Sequence, residues 1–316
     1  MTEKRFELNI LRLLRPQQWI KNFAIFAAII FSGQLFNPIA FENVLIGFFL
    51  FCGLSSAAYI VNDIFDVKKD RLHPFKKFRP LAHGDIPIPM ALIIATALII
   101  FSLYFSFYLT PAFFIVAVTY VAVQILYSVF FKGITVIDIL AIASGYIIRV
   151  YAGAFVSGYH ISVWLLLTTI SLALFLAIGK RRSELTLVSQ NKEGNIAAIR
   201  KTLSHYSERL LDVYASIFAT STFISYALFT FLENPQGFKP GVSILLPDFL
   251  PAFFQRKWLM ITIIPVVYGL MRYLQDIYEK HEGESPEKVL LSDKALLSTV
   301  ILWIIMVLTI IYIIGP

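Results

Sequence analysis

The sequence predicts an all-α membrane protein that forms one integral membrane domain over residues 1–316. Hydrophobic residues make up 58% of the chain and the mean hydropathy is +0.75, both far above the values of soluble globular domains. Nine apolar runs have lengths near the ~20 residues that a bilayer requires, so we expect nine transmembrane helices. They cover residues 23–36, 44–61, 90–109, 112–131, 134–156, 163–178, 210–232, 258–277 and 295–314.

A mixed basic and apolar segment, residues 1–22, precedes the first run. Its cations are Lys4, Arg5, Arg12, Arg15 and Lys21, and Trp19 lies near its end. Tryptophan and basic side chains prefer the bilayer surface, so we expect this segment to lie at the interface. It has no apolar core followed by a small-residue cleavage site, and we therefore expect no removable signal peptide.

The distribution of basic residues predicts the orientation of the chain. Most lysines and arginines fall in the N-terminal segment or in the loops after even-numbered runs, whereas the opposite side has only Lys239, Arg256 and Lys257. Because cytoplasmic loops carry an excess of positive charge, the N-terminus and those loops should be cytoplasmic. We expect a multi-pass protein of the inner (plasma) membrane with its C-terminus outside.

The stretch after the second run, residues 62–86, has the strongest functional signal. Asp63, Asp66 and Asp70 are spaced i, i+3 and i+7, so on a continuing helix they share one face, and Asn62 flanks that face. Oxygen-only ligands suit Mg²⁺, which leaves coordination positions for substrate phosphates. Six cations lie within the end of this motif or after it, namely Lys68, Lys69, Arg71, Lys76, Lys77 and Arg79. Together these residues indicate a phosphate-handling site, and the alternative is an ordinary charged loop.

Further charged residues are candidates for substrate binding on the same membrane face. Asp138 and Arg149 lie eleven residues apart, almost three helical turns, so they point the same way. A buried arginine is costly in lipid, which indicates either an interhelical contact or a ligand contact. The cluster at residues 180–182 either binds an anion or satisfies a helix end. The candidates are Lys21, Asn62, Lys76, Lys77, Arg79, Tyr127, Lys132, Asp138, Arg149, Lys180, Arg181, Arg182, Glu184 and Arg272.

Several motifs together resemble a known family. Asn62-Asp63-x-x-Asp66-x-x-x-Asp70, at the end of an apolar run in a chain with nine such runs, is similar to the UbiA superfamily of intramembrane prenyltransferases. The segments Leu14–Asn22, Gly145–Arg149, Lys180–Glu184 and Ser285–Asp293 resemble, within it, the decaprenyl-phosphate phosphoribosyltransferases. The resemblance covers residues 14–293. It implies a UbiA-like bundle around a central cavity, with cytoplasmic active-site loops at 62–86, 180–209 and 280–294.

The resemblance also implies an activity. Such enzymes use Mg²⁺ to transfer 5-phosphoribosyl from phosphoribosyl pyrophosphate to a polyprenyl (decaprenyl-like) phosphate, for cell-wall arabinan precursors. Prenyl-transferring relatives have a second aspartate-rich motif near the end of the sixth span, whereas Lys180-Arg181-Arg182 is basic, which favours phosphoribosyl transfer. Prenyl transfer to an aromatic or other acceptor, and a non-enzymatic transporter or lipid-binding protein, remain alternatives.

The expected partners follow from charge and setting. A net charge of +7 indicates anionic lipid head groups or phosphorylated substrates, and a membrane protein requires no nucleic acid to explain it. Membrane lipid is therefore an expected partner beside the two substrates. The sequence does not predict an oligomeric state, and a homo-oligomer is compatible with it.

Overall fold

The computed structural model describes residues 3–72, 76–190, 205–233, 258–280 and 286–314, and these are almost entirely helical. The α-helices are α1 (Glu3–Leu14), α2 (Ala27–Phe31), α3 (Pro38–Asp70), α4 (Pro80–His83), α5 (Ile88–Leu109), α6 (Pro111–Val129), α7 (Ile137–Ser157), α8 (Val163–Gln190), α9 (Glu208–Leu232), α10 (Ile263–Gln275), α11 (Pro286–Ser292) and α12 (Lys294–Thr309). Short 3₁₀ helices form at Pro16–Phe26, Lys76–Phe78, Phe131–Gly133 and Trp258–Thr262, and π-helical turns at Asp276–Lys280 and Ile310–Ile314. The predicted loop at 180–209 thus falls partly outside the described residues, as do 73–75 and 281–285 of the other two loops.

Eight helices within these ranges are long and apolar enough to cross a membrane, so the expectation of nine is corrected by one. The first predicted span, 23–36, is instead a broken segment in which the 3₁₀ helix Pro16–Phe26 continues into α2. At about 2.0 Å per 3₁₀ residue and about 1.5 Å per α residue this segment is roughly 30 Å long. It is therefore as long as the hydrocarbon layer is thick, without containing a long α-helix.

The 3₁₀ segment packs closely against the backbone of α7. A Cβ atom at Gly153 of α7 would lie 1.9 Å from the carbonyl oxygen of Ile25, so only glycine permits this packing. Ile25 and Ile29 are fully buried there. The interfacial segment predicted over residues 1–22 accordingly divides at Arg15, because residues 16–26 enter the bundle while α1 precedes it.

Helix ends follow the local sequence. α3 and α6 both begin with a proline, and Asn37 and Thr110 precede these prolines. The side-chain oxygen of each of the two residues accepts a hydrogen bond from the backbone N–H three residues further along the chain. α3 extends nine residues past the predicted end at Val61, to Asp70. α8 likewise continues past residue 178 to Gln190, so the basic cluster lies within a helix and not at its C-terminus. The predicted ranges of both helices were too short because hydropathy detects only the apolar part of a helix.

The helices that carry the charged motifs are the inner helices of the bundle. Of the 18-residue apolar stretch of α3, 61% is buried, compared with 17% of the corresponding stretches of α5 and α6. A cavity of 470 Å³ lies beside these inner helices, lined by the 3₁₀ segment, by α2 and by α7 to α12. The fold therefore places the acidic end of α3 and an internal apolar cavity in one bundle.

Candidate active site

The aspartate motif lies on the last turns of α3. Asp63, Asp66 and Asp70 are only 2%, 8% and 5% exposed, and the continuous helix places all three on one face, as predicted from their spacing. A buried carboxylate is unfavourable unless a cation or hydrogen-bond donors compensate it. Each of the three carboxylates accordingly has a cationic partner.

Three cations from three different parts of the chain neutralise these carboxylates. Arg15 donates to both oxygens of Asp63, at 2.7 and 2.6 Å. Arg79 bridges Asp63, at 3.1 Å, and Asp70, at 2.6 Å. Lys132 contacts Asp66 and lies 3.4 Å from the Asn62 amide oxygen. Arg79 and Lys132 were predicted for the site, but as ligands of substrate anions.

Arg15 was not predicted as a site residue. It lies at the junction of α1 and the 3₁₀ segment with φ 52° and ψ 61°, a left-handed conformation that costs of order 1 kcal/mol or more for a residue other than glycine. This junction turns the chain so that the arginine reaches α3, 48 residues away in sequence. The sequence feature that could have indicated a role for Arg15 is its position in the Leu14–Asn22 motif, directly before a proline.

A second polar cluster lies next to the first. Lys21 donates to Gln18 at 2.7 Å and to the Tyr59 hydroxyl at 3.3 Å, and its ammonium lies 3.1 Å from Glu287 of α11. The Tyr59 hydroxyl donates to Gln18 at 2.9 Å, and the Gln18 amide donates to Glu287. Arg15 lies over the Tyr59 ring, 5.3 Å from its centroid. The two clusters are therefore continuous from Asp63 to Glu287.

Glu287 is buried but ionised. Burial alone would raise the pKa of its carboxyl group, yet the ammonium groups of Lys21 and Lys180 lower that pKa below the ordinary value. The lowered pKa means that Glu287 stabilises the folded protein above the ordinary glutamate pKa and that this contribution is lost as the pH falls. Glu287 and Gln18 were not among the predicted site residues.

The second cluster forms the polar end of the 470 Å³ cavity. Lys21, Tyr146, Tyr273 and Glu287 line this end, and most of the remaining lining is aliphatic or aromatic. The apolar part is formed mainly by α8, α10 and α12 and includes Leu172, Val266 and Trp303. Such a cavity suits an amphiphile with a hydrocarbon tail and a polar head.

Arginine side chains of the basic cluster on α8 contact protein carboxylates. Arg181 is fully buried, with Nε 3.0 Å from Asp138 of α7, a second contact to Glu184, and a hydrogen bond of 3.3 Å to Tyr127. Arg182 points to α9, where it lies 2.8 Å from Asp212 and 3.1 Å from Glu208. Lys180 is half-buried.

Arg149 and Arg272 join helices. Arg149 donates to Asn22 at 2.6 Å, to the Tyr120 hydroxyl at 2.8 Å and to the Gly145 carbonyl at 2.6 Å. Arg272 of α10 donates at 2.7 Å to Asp293, the residue that caps α12. These contacts favour the structural interpretation of both arginines. Their predicted binding of substrate stays a prediction, as it does for Asp138, Arg181, Arg182 and Glu184.

The loop cations differ in their position. Lys77 is exposed and lies over the Phe78 ring, 5.2 Å from its centroid, whereas Lys76 is half-buried. Arg79 forms ion pairs with Asp63 and Asp70. The loop therefore supplies a cation directly to the carboxylate face.

The aspartate face fits a divalent cation by its chemistry. Within the described residues, no three aspartate, glutamate, histidine or cysteine side chains converge as ligands of one ion, because each aspartate faces a cation instead. The donors on this face, Asp63, Asp66, Asp70 and Asn62, nevertheless supply only oxygen atoms, which suits Mg²⁺.

Comparisons with known proteins agree on one family. The model of the UbiA prenyltransferase family matches residues 22–299. A decaprenyl-phosphate phosphoribosyltransferase of Corynebacterium glutamicum is 34% identical over 309 residues, covering 96% of this chain and 87% of that protein. The enzyme of the same name from Mycolicibacterium smegmatis is 34% identical over 306 residues, covering 95% of this chain and 92% of that protein.

Solved structures have the same fold. A UbiA homolog from Archaeoglobus fulgidus, solved with GPP and Mg²⁺ bound, superimposes with a TM-score of 0.68 over 96% of this chain and 100% of that chain. The sequence identity is 19%, so this likeness concerns the fold alone.

Proposed function

Since the chain belongs to the UbiA prenyltransferase family, we propose that it transfers a 5-phosphoribosyl group from phosphoribosyl pyrophosphate to a polyprenyl phosphate and releases pyrophosphate. One observation carries this choice of reaction: an aspartate face lies on α3, while residues 180–182 within α8 are Lys-Arg-Arg instead of a second aspartate cluster. The relatives named decaprenyl-phosphate phosphoribosyltransferase support the same reaction. The product then serves the synthesis of cell-wall arabinan precursors.

The donor binds at the aspartate face. Asp63, Asp66 and Asp70, with Asn62, would hold Mg²⁺, which when bound neutralises the charge that develops on the pyrophosphate leaving group. Arg15, Arg79 and Lys132, which pair with these carboxylates in the structure, would bind phosphate oxygens of the donor, for which the arginine fork is well suited. The same three cations therefore balance the carboxylates before binding and the substrate phosphates after it.

The acceptor occupies the cavity. Its isoprenoid tail lies along the apolar wall between α8, α10 and α12, and its phosphate lies at the polar end near Lys21 and Lys180. A phosphate monoester has a second pKa of about 6 and is largely dianionic near neutral pH, so the reaction requires no strong general base. The bond from ribose C1 to the pyrophosphate oxygen breaks with oxocarbenium character, and a lipid phosphate oxygen attacks C1 from the opposite face.

A direct assay tests the reaction. Purified protein is incubated with radiolabelled phosphoribosyl pyrophosphate, MgCl₂ and polyprenyl phosphates of different length, and the lipids are then extracted. We expect label in the lipid fraction and release of one pyrophosphate for each lipid labelled. A parallel reaction supplies a prenyl pyrophosphate and an aromatic acceptor. Prenylation of the acceptor without transfer of phosphoribose would establish the ordinary prenyltransferase reaction instead.

The orientation is tested by labelling of cysteine variants. We propose that the aspartate face is cytoplasmic in the plasma membrane, where soluble phosphoribosyl pyrophosphate is available. His83 at the end of α4 and His160 after α7 are both exposed, and the native Cys52 is buried. An impermeant maleimide added to intact cells should label His160→Cys but not His83→Cys, which should react only after the membrane is opened. The reverse pattern would contradict the proposed orientation.

A further inference from the structure

The proposed reaction leaves one buried group at its centre without a role. Glu287 lies at the polar end of the cavity, where Gln18 and Lys21 hold its two oxygens. A carboxylate is the wrong charge for a phosphate, and an ionised carboxylate has capacity for further hydrogen bonds because each oxygen accepts more than one. Its position beside two anionic substrates therefore requires a different chemical reason.

Sugar hydroxyl groups are the ligands that match this cluster. The Lys21 ammonium lies 3.1 Å from Glu287 and offsets its charge, and the remaining lone pairs of the carboxylate can accept hydrogen bonds from hydroxyl groups. Acidic side chains recognise ribose in other proteins by accepting hydrogen bonds from its hydroxyls. The Gln18 amide holds Glu287 from the other side, which fixes the carboxylate in one orientation.

Tyr273 of α10 independently indicates a polar ligand at the same place. Its side chain is 4% exposed and lines the same cavity as Glu287. Within the part of the chain that the structure describes, its hydroxyl has no hydrogen-bond partner. A buried hydroxyl without a partner costs about 1–3 kcal/mol, and a bound ligand with hydroxyl groups would provide the missing partner.

The cluster also lies in the correct place for the sugar. Gln18 is linked through the Tyr59 hydroxyl, at 2.9 Å, and the Arg15 guanidinium above the Tyr59 ring to the carboxylate of Asp63. The pyrophosphate end of the donor belongs to that aspartate face, and the lipid phosphate belongs to the cavity. The ribose must lie between the pyrophosphate and the lipid phosphate, because its C1 atom loses its bond to the first and forms a bond to the second.

We propose that Glu287, supported by Gln18 and Tyr273, binds the ribose 2- and 3-hydroxyls of the donor and makes the enzyme specific for a ribosyl group. This inference rests on the proposed function, since it concerns the sugar of that donor. It makes Glu287 a specificity-determining residue that contacts the substrate away from the bond that breaks.

Inhibition by sugar phosphates tests this proposal. Ribose 5-phosphate and 2-deoxyribose 5-phosphate are compared as competitors of phosphoribosyl pyrophosphate in the lipid-labelling assay, with pyrophosphate as a third competitor. A site that hydrogen-bonds a hydroxyl rejects the analogue lacking it, so wild-type protein should prefer ribose 5-phosphate by about tenfold or more. Glu287→Gln should reduce this preference to about threefold or less, with pyrophosphate inhibition unchanged.

A second variant and a matched control complete the test. Tyr273→Phe removes one hydroxyl and should also lower the preference for ribose 5-phosphate. Glu279→Gln makes the same exchange at an exposed glutamate that accepts a hydrogen bond from Gln275. This variant should keep the wild-type preference for ribose 5-phosphate. If Glu287→Gln and Tyr273→Phe both keep that preference, the inference is overturned while the proposed function stands. If wild-type protein labels no lipid from phosphoribosyl pyrophosphate, the proposed function itself fails.

Discussion

Asp63→Asn or Asp66→Asn should reduce phosphoribosyl transfer by about 10³-fold, since loss of one preorganised charge-stabilising group commonly costs 10²–10³-fold and a lost ligand weakens the metal as well. The exchange is isosteric, so the effect should come from charge and not from shape. Steady-state rates of lipid labelling measure it. The same wild-type reaction should stop in EDTA and resume when MgCl₂ is added in excess.

Both variants should keep the fold. Arg15 and Arg79, the partners of Asp63, are partly exposed, so water can compensate them when the carboxylate charge is removed. Glu42→Gln, at the opposite end of α3 and exposed, is the matched control and should keep full activity. Wild-type rates in either aspartate variant, with an unchanged melting temperature, would remove the aspartate face from the proposed mechanism.

The long helices could be predicted from the sequence because lipid selects for continuous apolar runs. The boundary between the predicted runs 90–109 and 112–131 is confirmed, since α5 ends at Leu109 and α6 begins at Pro111. The first predicted span is a 3₁₀ helix followed by the short helix α2, a difference that hydropathy does not detect because it does not distinguish a 3₁₀ helix from an α-helix. This segment packs against Gly153, far away in sequence, and no local pattern indicates that contact.

The site was predictable only where its residues share one helix. The common face of the aspartates follows from their spacing and is confirmed by α3. Their partner Arg15, by contrast, depends on a left-handed residue between two helices, and Glu287 depends on how α11 packs against the 3₁₀ segment. These contacts join residues 48 and more than 200 positions apart, which neither periodicity nor composition reveals.

The basic cluster on α8 is the case in which the structure changes the expected result most. The sequence left open whether this cluster binds a substrate anion or satisfies a helix end. Arg181 instead forms a fully buried ion pair with Asp138, at 3.0 Å, and also contacts Glu184. Breaking a buried pair typically costs about 3–5 kcal/mol, because an uncompensated charge is left in a region that water does not reach.

Arg181→Lys should therefore lower stability more than it changes substrate affinity. A lysine has no planar fork and cannot hold Asp138, Glu184 and Tyr127 together. We expect the melting temperature in detergent to fall by about 5 °C or more, with the KM of both substrates nearly unchanged in the protein that remains folded. Thermal unfolding and initial-rate kinetics on the same preparation measure the two effects separately.

Arg182→Lys is the matched control, since it makes the same exchange one position along the helix. Its partners Asp212 and Glu208 are 37% and 49% exposed, and exposed ion pairs contribute at most about 1 kcal/mol. This variant should keep both its melting temperature and its KM values. If Arg181→Lys melts like the wild type but raises the KM of one phosphorylated substrate about tenfold, a loss of ~1.4 kcal/mol of binding, then Arg181 contacts that substrate. The basic cluster would in that case be an anion-binding site and not an element of the fold.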